Sequence, residues 1–245
     1  MTECSRSRPL ACVVIPTYNE AENIGPLVEA IRSLCDSEQI RIVVVDDGSP
    51  DGTASRVQQE AARLGGVELI ARPRKLGLGT AYVAGFRHAL DLGARFVLTM
   101  DADFSHEPSK IPGLLAAIED QSADIAIGSR YVAGGRTTHW GLHRKILSWT
   151  ANWLSHRLLH LRARDCTSGF RCYRLSFLRK IDLEAIKTDG YSFLVELLHM
   201  CQGRGAKVVE IPIVFCNRLR GESKISKAEI FKAVVTLWRL RWTKS

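Results

Sequence analysis

The chain has 245 residues, 46% hydrophobic and 24% charged, which is the composition of a globular protein with room for one large α/β domain or two small ones. Its formal net charge of +8, with eleven Lys and Arg against one acid between residues 130 and 180, favours an anionic partner. No segment reaches the ~20 apolar residues of a spanning helix, and no signal peptide is recognised, so we expect folding in the cytosol rather than secretion or membrane insertion.

Short apolar runs alternate with helical patterns along the first half of the chain. The runs lie at residues 10–15, 40–45, 67–70, 95–100 and 124–129. This alternation predicts a mostly parallel sheet with helices as crossovers, and the unbroken apolar runs are typical of strands covered on both faces. Asn19 and Asp51 are predicted to cap the first two helices, because their side-chain oxygens can accept from the first backbone N–H groups.

The pattern changes after Arg130. It predicts a helix rich in Trp and Arg at about 143–161, then the sequence DCTSGFRCYR, a helix around 191–202, a strand over 206–215 and a final amphipathic helix from about 226. No internal repeat or low-complexity linker separates these elements from the first half. We therefore predict one α/β domain over residues 1–245.

Seven cysteines stand at positions 4, 12, 35, 166, 172, 201 and 216. Their number is odd, no CxxC pair is present, and most fall within apolar runs. This pattern favours reduced thiols in the core over a disulfide framework or a zinc site.

Polar motifs follow the predicted strands of the first half. PTYNE follows the first strand, DDGSPDGT the second, RPRKLGLGT the third, DADFSH the fourth and SRY the fifth. Ligands of open parallel sheets bind beyond the carboxyl ends of the strands, where the loops gather. One such motif could be an ordinary turn, but five at successive strand ends predict one shared site.

Asp101 and Asp103 stand one residue apart, directly after an apolar run. In an extended segment both side chains point the same way, so two carboxylates can face one divalent cation. Mg²⁺ or Mn²⁺ is typically held by one or two carboxylates together with phosphate oxygens. The pair therefore predicts a metal and diphosphate clamp, against the alternative of a solvated acidic turn before Pro108.

Taken in order, the motifs resemble one known family. VVIPTYNEAENI, IVVVDDGSPDGT, RKLGLGTA, MDADFSHEP, IGSRYVAGG, CTSGFR, GYSFLVELL and NRLRGESKIS resemble the family 2 glycosyltransferases with a GT-A fold, in their dolichyl- or polyprenyl-phosphate mannosyltransferase branch. The resemblance implies a Rossmann-like, mostly parallel α/β sheet flanked by helices, with a basic amphipathic helical elaboration in the second half. It also implies transfer of mannose from GDP-mannose to a polyprenyl or dolichyl phosphate, with Mg²⁺ or Mn²⁺ as cofactor.

The resemblance also implies roles for individual positions. The expected nucleotide-sugar residues are Pro16, Tyr18, Glu20, Val45, Asp47, Lys75, Gly79, Arg218 and Lys224. The residues expected to hold the lipid phosphate are Arg130, Arg144 and Ser148. The expected catalytic residues are Asp101, Asp103, Arg130 and Arg218. Residues 8–130 would then bind the nucleotide sugar, and residues 131–245 the acceptor and the membrane.

The metal motif departs from the commoner pattern of the family at one position. Related enzymes often read DADLQHP and use the Gln as a further ligand, whereas Ser105 stands there in this chain. The metal ligands implied by the resemblance are therefore Asp101, Asp103 and, as the third, either Ser105 or water.

The residue types favour a phosphate acceptor over a hydroxyl acceptor. A lipid phosphate is already anionic near neutral pH, so its transfer reaction needs cations rather than a strong general base. Arg130, Arg136, Arg144 and Lys145 follow the carboxylate pair, and Arg suits bidentate phosphate capture. A hydroxyl acceptor would need a base. His106 and Glu196 could serve, so that alternative stays open.

The basic stretch at 143–164 has the broad apolar sector of a helix that lies in a membrane interface. Its apolar residues are Ile146, Leu147, Trp149, Trp153, Leu154, Leu158 and Leu161. The final helix adds Val234, Leu237, Trp238 and Trp242. Both helices could instead pack in the core. We expect peripheral binding to the cytosolic face of a membrane, with a small membrane subunit as a further candidate partner.

Other functions are weighed against this one. The positive charge favours a nucleic-acid-binding protein, but no motif of that class is present and the acidic loops would repel a backbone, so no nucleic acid is expected as a partner. GLGTAY hints at a dinucleotide-binding oxidoreductase, but it lacks the third Gly of GxGxxG and follows the third strand. A non-catalytic nucleotide-sugar-binding subunit and a polyprenyl-phosphate glucosyltransferase using UDP-glucose stay as alternatives.

Overall fold

A computed structural model of the chain describes residues 10–34, 36, 38–186, 188, 190–216 and 236–242. Its strands are β1 (Ala11–Thr17), β2 (Ile40–Asp46), β3 (Val67–Ala71), β4 (Phe96–Thr99), β5 (Ile125–Ser129), β6 (Arg136–Thr137), β7 (Arg171–Arg174), β8 (Val208–Pro212) and β9 (Val214–Phe215). Its α-helices are α1 (Ala21–Leu34), α2 (Thr53–Leu64), α3 (Leu78–Asp91), α4 (Ile111–Asp120), α5 (Leu142–Leu159), α6 (Leu175–Leu178) and α7 (Tyr191–Gly203). Residues 236–242 are also helical.

The described strands form a seven-stranded sheet in the order β3-β2-β1-β4-β7-β5-β8 and a small sheet of β6 and β9. Every pair in the large sheet is parallel except those of β7, which runs antiparallel between β4 and β5. The carboxyl ends of β1 to β5 therefore lie at one edge. The mostly parallel α/β fold is confirmed, and the five strands predicted in the first half are confirmed to within two residues at each end.

Alternate residues of the central strands face two separate hydrophobic cores, which explains the unbroken apolar runs. In β1, Cys12 and Val14 belong to one core, and Val13 and Ile15 belong to the other. The first core includes buried residues of α3 and α7, and the second includes those of α1 and α4. Because helices cover both faces, every residue of β1 except Pro16 is buried.

The first two helices are capped differently from the sequence prediction. Asn19 does not cap α1, because the helix begins at Ala21 and Asn19 has a left-handed φ of 58°. The Ala21 N–H instead donates to Asp51 Oδ2 at 3.0 Å. Asp51 also accepts from Thr53 N at 3.0 Å, although the N-cap position of α2 is occupied by Gly52. One carboxylate thus ties the starts of both helices together.

The second half departs from the sequence prediction in two further places. The sequence DCTSGFRCYR contains β7, for which no strand is predicted. The strand expected over 206–215 is divided into β8 and β9, because Ile213 N donates to Ser129 O at 3.0 Å while Ile213 O accepts from Arg136 N at 3.0 Å. At Ile213 the chain thus passes from the large sheet to the small one. Helices α5 and α7 are confirmed, and of the final helix only residues 236–242 lie within the described residues.

The prediction of reduced core thiols is confirmed for four of the five cysteines that the structure describes, whereas Cys216 is free but only partly buried. Cys12, Cys166, Cys172 and Cys201 are buried and are not joined in disulfides. Burial raises the pKa of Cys12, Cys166 and Cys201 to about 12, so these thiols are unreactive near neutral pH.

One face of α5 is open to solvent. Its side chains are 50–74% exposed and follow a spacing of four, three and four residues, which places them on one side of the helix. This exposed stripe consists of Leu142, Ile146, Trp149 and Trp153. Leu154 and Leu158 instead pack partly buried against the first core, and Leu161 is buried in it, so the exposed apolar sector is narrower than the sequence predicts.

The helical segment 236–242 packs beside the end of α5. Leu237 and Leu240 are buried in the first core, and Arg241 Nη1 donates to Leu158 O at 3.4 Å. Trp238 and Trp242 remain 54% and 76% exposed. None of the helices that the structure describes is long and apolar enough to cross a membrane.

Candidate active site

The loops after β1 and β2 are joined at the carboxyl edge of the sheet. Asp47 N donates to Thr17 O at 3.0 Å, and Thr17 Oγ1 donates to Asp46 Oδ1 at 2.9 Å. Asp46 also accepts from Ser49 N at 2.9 Å. Because Thr17, Asp46 and Asp47 are buried, these bonds hold the two loops in one arrangement.

Asp47 also joins the second loop to the third. Its Oδ2 accepts from Leu76 N at 3.2 Å and from Gly77 N at 3.0 Å, and its carboxylate pairs with Arg72. Gly77 has a φ of 105° at the N-cap of α3, a conformation that favours glycine. The predicted nucleotide residue Asp47 therefore fixes the entrance to α3.

Other predicted nucleotide residues lie along the same edge. Pro16 is the penultimate residue of β1, and the next loop carries Tyr18 and Glu20. Lys75 Nζ lies 4.3 Å from the centroid of the Tyr18 ring. Glu20 accepts from Asn23 Nδ2 at 2.8 Å. The loops of β1 and β3 thus place an aromatic ring and a cation side by side.

Two predicted nucleotide residues are set back from the edge. The Val45 side chain is fully buried in the first core. A Cβ at Gly79 would lie 2.8 Å from a carbon of the Phe193 ring, so α3 approaches α7 closely enough to require glycine. Arg218 and Lys224 lie outside the described residues, and their nucleotide contacts stay predictions.

The DxD loop, residues 101–106, bends back towards β4 instead of extending it, so the prediction of an extended carboxylate pair is wrong. Two hydrogen bonds stabilise the bend. Asp101 N donates to His106 Nδ1 at 3.3 Å, and Ser105 N donates to Asp103 Oδ1 at 3.0 Å. Asp103 is 3% exposed, and Asp101 is partly buried.

His106 is buried between aromatic rings. It stacks on Phe170 with the centroids 5.1 Å apart and meets Phe215 edge-on at 5.2 Å. Burial lowers the pKa of His106 to about 4, so the imidazole is neutral near neutral pH. Because Nδ1 accepts from Asp101 N, the proton is assigned to Nε2. His106 therefore supports the backbone of Asp101 and is a poor general base.

The segment before β7 packs against the DxD loop. Thr99 Oγ1 donates to Gly169 O at 2.6 Å, and a Cβ at Gly169 would lie 3.4 Å from Asp101 Oδ1. The buried Arg171 holds this segment, with Nε donating to Ser168 O at 2.7 Å. Asp101 is thus supported by a chain segment distant from it in sequence.

The donor set of the DxD loop fits a divalent cation. Asp101 and Asp103 supply carboxylates, and Ser105 Oγ is buried with no hydrogen-bond partner among the described residues. A buried hydroxyl without a partner is a sign of a missing ligand or water. In the part of the chain that the structure describes, no group of three or more His, Cys, Asp or Glu could hold a metal ion. A cation here would complete its shell with phosphate oxygens or water, as Mg²⁺ usually does.

Arg130 follows β5 and is held by a buried carboxylate. Its Nε and Nη2 donate to Asp165 at 2.7 and 2.6 Å, and its backbone N donates to the same carboxylate at 2.9 Å. Burial raises the pKa of Asp165, but the charge and hydrogen bonds of Arg130 outweigh it, so the pKa lies below its ordinary value. This bidentate pair fixes the direction of the guanidinium.

Arg130 and Arg144, both predicted to hold phosphate, share an aromatic ring. The guanidinium carbon of Arg144 lies 4.4 Å from the Trp140 ring centroid, and that of Arg130 lies 5.4 Å from it. The same two carbons lie 5.9 and 5.4 Å from the Phe215 ring centroid. The structure therefore brings both cations to one place, next to the His106 end of the DxD loop.

Ser148, the third predicted phosphate residue, is joined to the same place from α5. Tyr131 Oη donates to Ser148 Oγ at 2.8 Å. Asn152 Nδ2 donates to Ser148 O at 2.9 Å, and Asn152 Oδ1 accepts from Cys166 N at 2.7 Å. These bonds tie α5 to the residue after Arg130 and to the residue after Asp165.

Several residues of the site are missed by sequence reasoning. They are Trp140, Asn152, Asp165, Gly169 and Phe215, and each acts through a contact with a segment distant in sequence. Among these residues, only Asp165 could have been recognised from the sequence, because it is the single acid among eleven basic residues between positions 130 and 180. A lone carboxylate in such a segment is the natural partner of a buried arginine.

Comparison with known proteins decides the family. Residues 12–186 match Glycosyl transferase family 2. The chain belongs to this family. The predictions of a family 2 resemblance and of a glycosyltransferase are confirmed, and the nucleic-acid and oxidoreductase alternatives are set aside.

Relatives of this glycosyltransferase bear the names of the predicted branch. The chain is 44% identical over 232 residues to the polyprenol monophosphomannose synthase of Mycolicibacterium smegmatis, with 94% of this chain and 86% of that protein covered. It is 42% identical to the undecaprenyl-phosphate mannosyltransferase of Micrococcus luteus, with 94% of each chain covered. It is 40% identical to the dolichol-phosphate mannosyltransferase of Pyrococcus furiosus, of which it covers 63%.

Solved structures share the fold of this family 2 glycosyltransferase. Glucosyl-3-phosphoglycerate synthase from Mycobacterium tuberculosis, crystallised with Mn²⁺, UDP and glucosyl-3-phosphoglycerate, has a TM-score of 0.68 at 17% identity, covering 97% of this chain and 82% of that one. A mannosyltransferase from Pyrobaculum calidifontis in complex with GDP-Man and Mn²⁺ has a TM-score of 0.58 at 17% identity, covering 88% and 59%. At this identity the likeness shows the fold alone.

Proposed function

We propose that this glycosyltransferase moves mannose from GDP-mannose to the phosphate of a polyprenyl or dolichyl phosphate, with inversion at the anomeric carbon. Relatives at 40–44% identity over 94% of the chain bear names that describe this class of reaction. The structural observation that carries the proposal is the placement of the Arg130 and Arg144 guanidiniums over one aromatic ring beside the DxD loop.

The arginine pair suits an acceptor that is already anionic. In the proposed reaction a phosphate oxygen forms a bond to C1 of mannose, the bond from C1 to the diphosphate oxygen breaks, and GDP departs with the electron pair. No proton has to leave the acceptor, so no general base is needed. Arg130 and Arg144 would orient the phosphate through charge-assisted hydrogen bonds, with Ser148 as a further donor.

The two candidate bases for a hydroxyl acceptor are engaged in other contacts. His106 is buried, and burial lowers its pKa to about 4. Glu196 is buried on α7, accepts from Thr188 Oγ1 at 2.5 Å and pairs with Arg239 at 3.2 Å. Both environments favour the phosphate acceptor.

Asp101, Asp103 and Ser105 are the residues that would hold Mg²⁺ or Mn²⁺. When bound, the cation would supply positive charge to the departing diphosphate. His106 holds the backbone of Asp101 for this role, and Gly169 lies beside its carboxylate. Tyr18, Lys75 and Asp47 lie where the loops of β1 to β3 would receive the nucleotide, as in the predicted division at residue 130.

A transfer assay with radiolabelled GDP-mannose and polyprenyl phosphate tests the acceptor site. Arg144→Ala should raise KM for polyprenyl phosphate by roughly 10- to 150-fold, the equivalent of ~1.5–3 kcal/mol for a charge-assisted hydrogen bond. The dissociation constant for GDP should change less than two-fold. Arg179→Ala is the control, because this exposed cation follows β7, whose carboxyl end lies at the edge of the sheet opposite the site. Equal losses for both ligands would assign Arg144 to the nucleotide half instead.

The same assay separates the remaining alternatives. UDP-glucose in place of GDP-mannose tests the glucosyltransferase. Binding of a nucleotide sugar with no turnover on any polyprenyl phosphate would support a non-catalytic subunit and contradict the proposal. Thermal-shift titration with GDP and UDP, with and without Mn²⁺, identifies the preferred base independently of catalysis.

We further propose that the exposed stripe of α5 lies in a membrane interface and brings the lipid acceptor to the site. The stripe begins beside Arg144, and Lys145, Arg157, Arg162 and Arg164 are exposed around it. Basic residues near an anionic surface contribute about 1 kcal/mol each, so binding should be peripheral and sensitive to salt. Trp238 and Trp242 would add a second contact from the segment 236–242.

Liposome co-sedimentation at low and high salt tests this membrane contact. Trp149→Ala/Trp153→Ala should lose most binding to anionic vesicles while keeping its thermal stability, because both rings are exposed. Leu34→Ala is the control, since Leu34 is also exposed but ends α1, a helix that packs on the second core. If the wild-type protein does not bind anionic vesicles at low salt, the stripe is not a membrane contact. The predicted small membrane subunit then becomes the candidate for lipid delivery.

A further inference from the structure

We infer that Trp140 is a positioning residue for the acceptor phosphate, because its indole ring is the shared platform of the Arg130 and Arg144 guanidiniums. The inference rests on the proposed function, in which these two arginines bind the phosphate. It assigns a role in acceptor use to Trp140, a residue outside the motifs that carry the family resemblance.

The platform is placed by the small sheet of β6 and β9. Thr137 pairs with Phe215 in that sheet, and Thr138 N donates to Phe215 O at 2.9 Å. The chain then leads through Trp140 to Gly141, the N-cap of α5. The Trp140 ring meets the Phe215 ring edge-on, with the centroids 5.3 Å apart. Trp140 is therefore fixed between the small sheet and the start of the helix that carries Arg144.

The same sheet also reaches the DxD loop. Cys216 N donates to Ser105 O at 3.2 Å, and the Phe215 ring meets the His106 ring at 5.2 Å. Rings thus run without interruption from Arg144 through Trp140 and Phe215 to His106. Movement of Trp140 would change where the acceptor cations sit relative to the carboxylates that are proposed to hold the cation.

A neutral aromatic ring is well suited to holding cations that must bind an anion. The ring quadrupole attracts a guanidinium, most strongly for Trp, without placing a negative charge beside it. A carboxylate in the same position would neutralise the cations and repel a phosphate. Arg130 is already paired with Asp165, so the ring is a second support for it that adds no further negative charge.

Trp140 has two features that could act in the site, its ring face and its indole N–H. Nε1 is buried, and no hydrogen-bond partner for it is found among the described residues. The contacts with both guanidiniums are made by the ring, and substitution separates the role of the ring face from that of the N–H. Phe keeps a face and loses the N–H, whereas Leu loses both.

The test measures transfer to a short-chain polyprenyl phosphate that stays in solution, so that membrane binding does not enter. Trp140→Leu should raise KM for this acceptor about ten-fold, equivalent to about 1.4 kcal/mol, while KM for GDP-mannose changes less than two-fold. Trp140→Phe should restore most of the acceptor affinity, because it restores a ring. Phe177→Leu is the matched control, since it also removes a ring that faces a cation, with Lys180 Nζ 5.4 Å from its centroid, on α6 outside the site.

A double-mutant cycle guards against a purely structural effect. In the Arg144→Ala background, Trp140→Leu should raise the acceptor KM by at most about three-fold, since one of the two supported cations is gone. The inference is overturned if Trp140→Leu leaves the acceptor KM unchanged. It is also overturned if Trp140→Phe is as impaired as Trp140→Leu, or if both substrates lose affinity equally.

The failure of this inference is distinguishable from the failure of the proposed function. If Arg144→Ala itself leaves the acceptor KM unchanged, the phosphate site is assigned wrongly. The inferred role of Trp140 is then refuted together with that assignment. If Arg144→Ala weakens the acceptor and Trp140→Leu does not, the proposed function stands and the platform alone is refuted.

Discussion

The two sides of the site are held by different interactions. On the nucleotide side (residues 16–20 and 46–79), carboxylates such as Asp47 accept from backbone N–H groups of neighbouring loops. On the acceptor side (residues 130–169), guanidiniums rest on aromatic rings, and one of them pairs with the buried Asp165. The nucleotide side is a set of tied loops, whereas the acceptor side is a supported cluster of positive charge.

This difference follows from the ligands that each side is proposed to receive. A loop that must contact a nucleotide needs a fixed backbone, and a buried carboxylate holds several N–H groups at once. A site for a phosphate needs cations that are fixed without being neutralised. Arg144 meets this requirement on the Trp140 ring, whereas Arg130 is fixed mainly by its pair with Asp165 and by the rings in addition.

The largest effect is expected at the DxD loop, where the two sides meet. Asp103→Asn keeps the shape of the side chain and removes its charge, so kcat/KM should fall by roughly 10³-fold, the equivalent of several kcal/mol of charge stabilisation. EDTA should abolish transfer by wild type, and Mn²⁺ should restore it. Steady-state kinetics with circular dichroism of the variant checks both statements, and full turnover in chelator would refute the metal requirement.

The next effect compares a buried carboxylate, Asp165, with an exposed one, Asp51, by their contribution to stability. Asp165→Asn leaves Arg130 buried without its counter-charge, so the free energy of unfolding should fall by about 3–5 kcal/mol. Asp51→Asn on the nucleotide side should lose less, about 1 kcal/mol, because Asp51 is exposed and only the oxygen that becomes an amide nitrogen loses its hydrogen bond. Urea denaturation measures the free energy of unfolding of both variants. Similar losses would show that the buried Asp165 stabilises the fold no more than the exposed Asp51 does.

The same pair predicts a dependence of stability on pH. The pKa of Asp165 is lower in the folded protein than its ordinary value, because Arg130 outweighs the effect of burial. The stabilisation is therefore complete above the unfolded pKa of about 3.9 and is lost as pH falls through the folded pKa. The difference in free energy of unfolding between wild type and Asp165→Asn should be constant near neutral pH and shrink in acid. A difference that grows in acid would contradict this sign.

The smallest effect concerns the tied loops. Asp47→Asn keeps one acceptor for the Leu76 and Gly77 N–H groups but loses the charge that pairs with Arg72. GDP affinity should fall about ten-fold, while KM for polyprenyl phosphate stays within two-fold of wild type. Isothermal titration with GDP and the transfer assay measure the two quantities. A loss confined to the acceptor would reverse the assignment of the two sides.

Much of the nucleotide side is determined by the sequence by itself. The apolar runs that become β1 to β5 and the polar motifs that follow them are local patterns, because a strand buried on both faces needs an unbroken apolar run. The parallel order then places every following loop at one edge. Asp47, Asp101 and Asp103 are predicted at this edge for that reason, although the bend of the DxD loop is not predicted.

The acceptor side was decided by the tertiary structure. The insertion of β7 between β4 and β5, the pairing of Asp165 with Arg130 and the contact of the Phe215 ring with the Trp140 ring all join segments that are separate in sequence. Such contacts have no periodicity of their own, because the geometry that makes them favourable exists only after the sheet has formed. The sequence therefore predicts that cations gather after Arg130, and the fold selects the carboxylate and the ring that hold them.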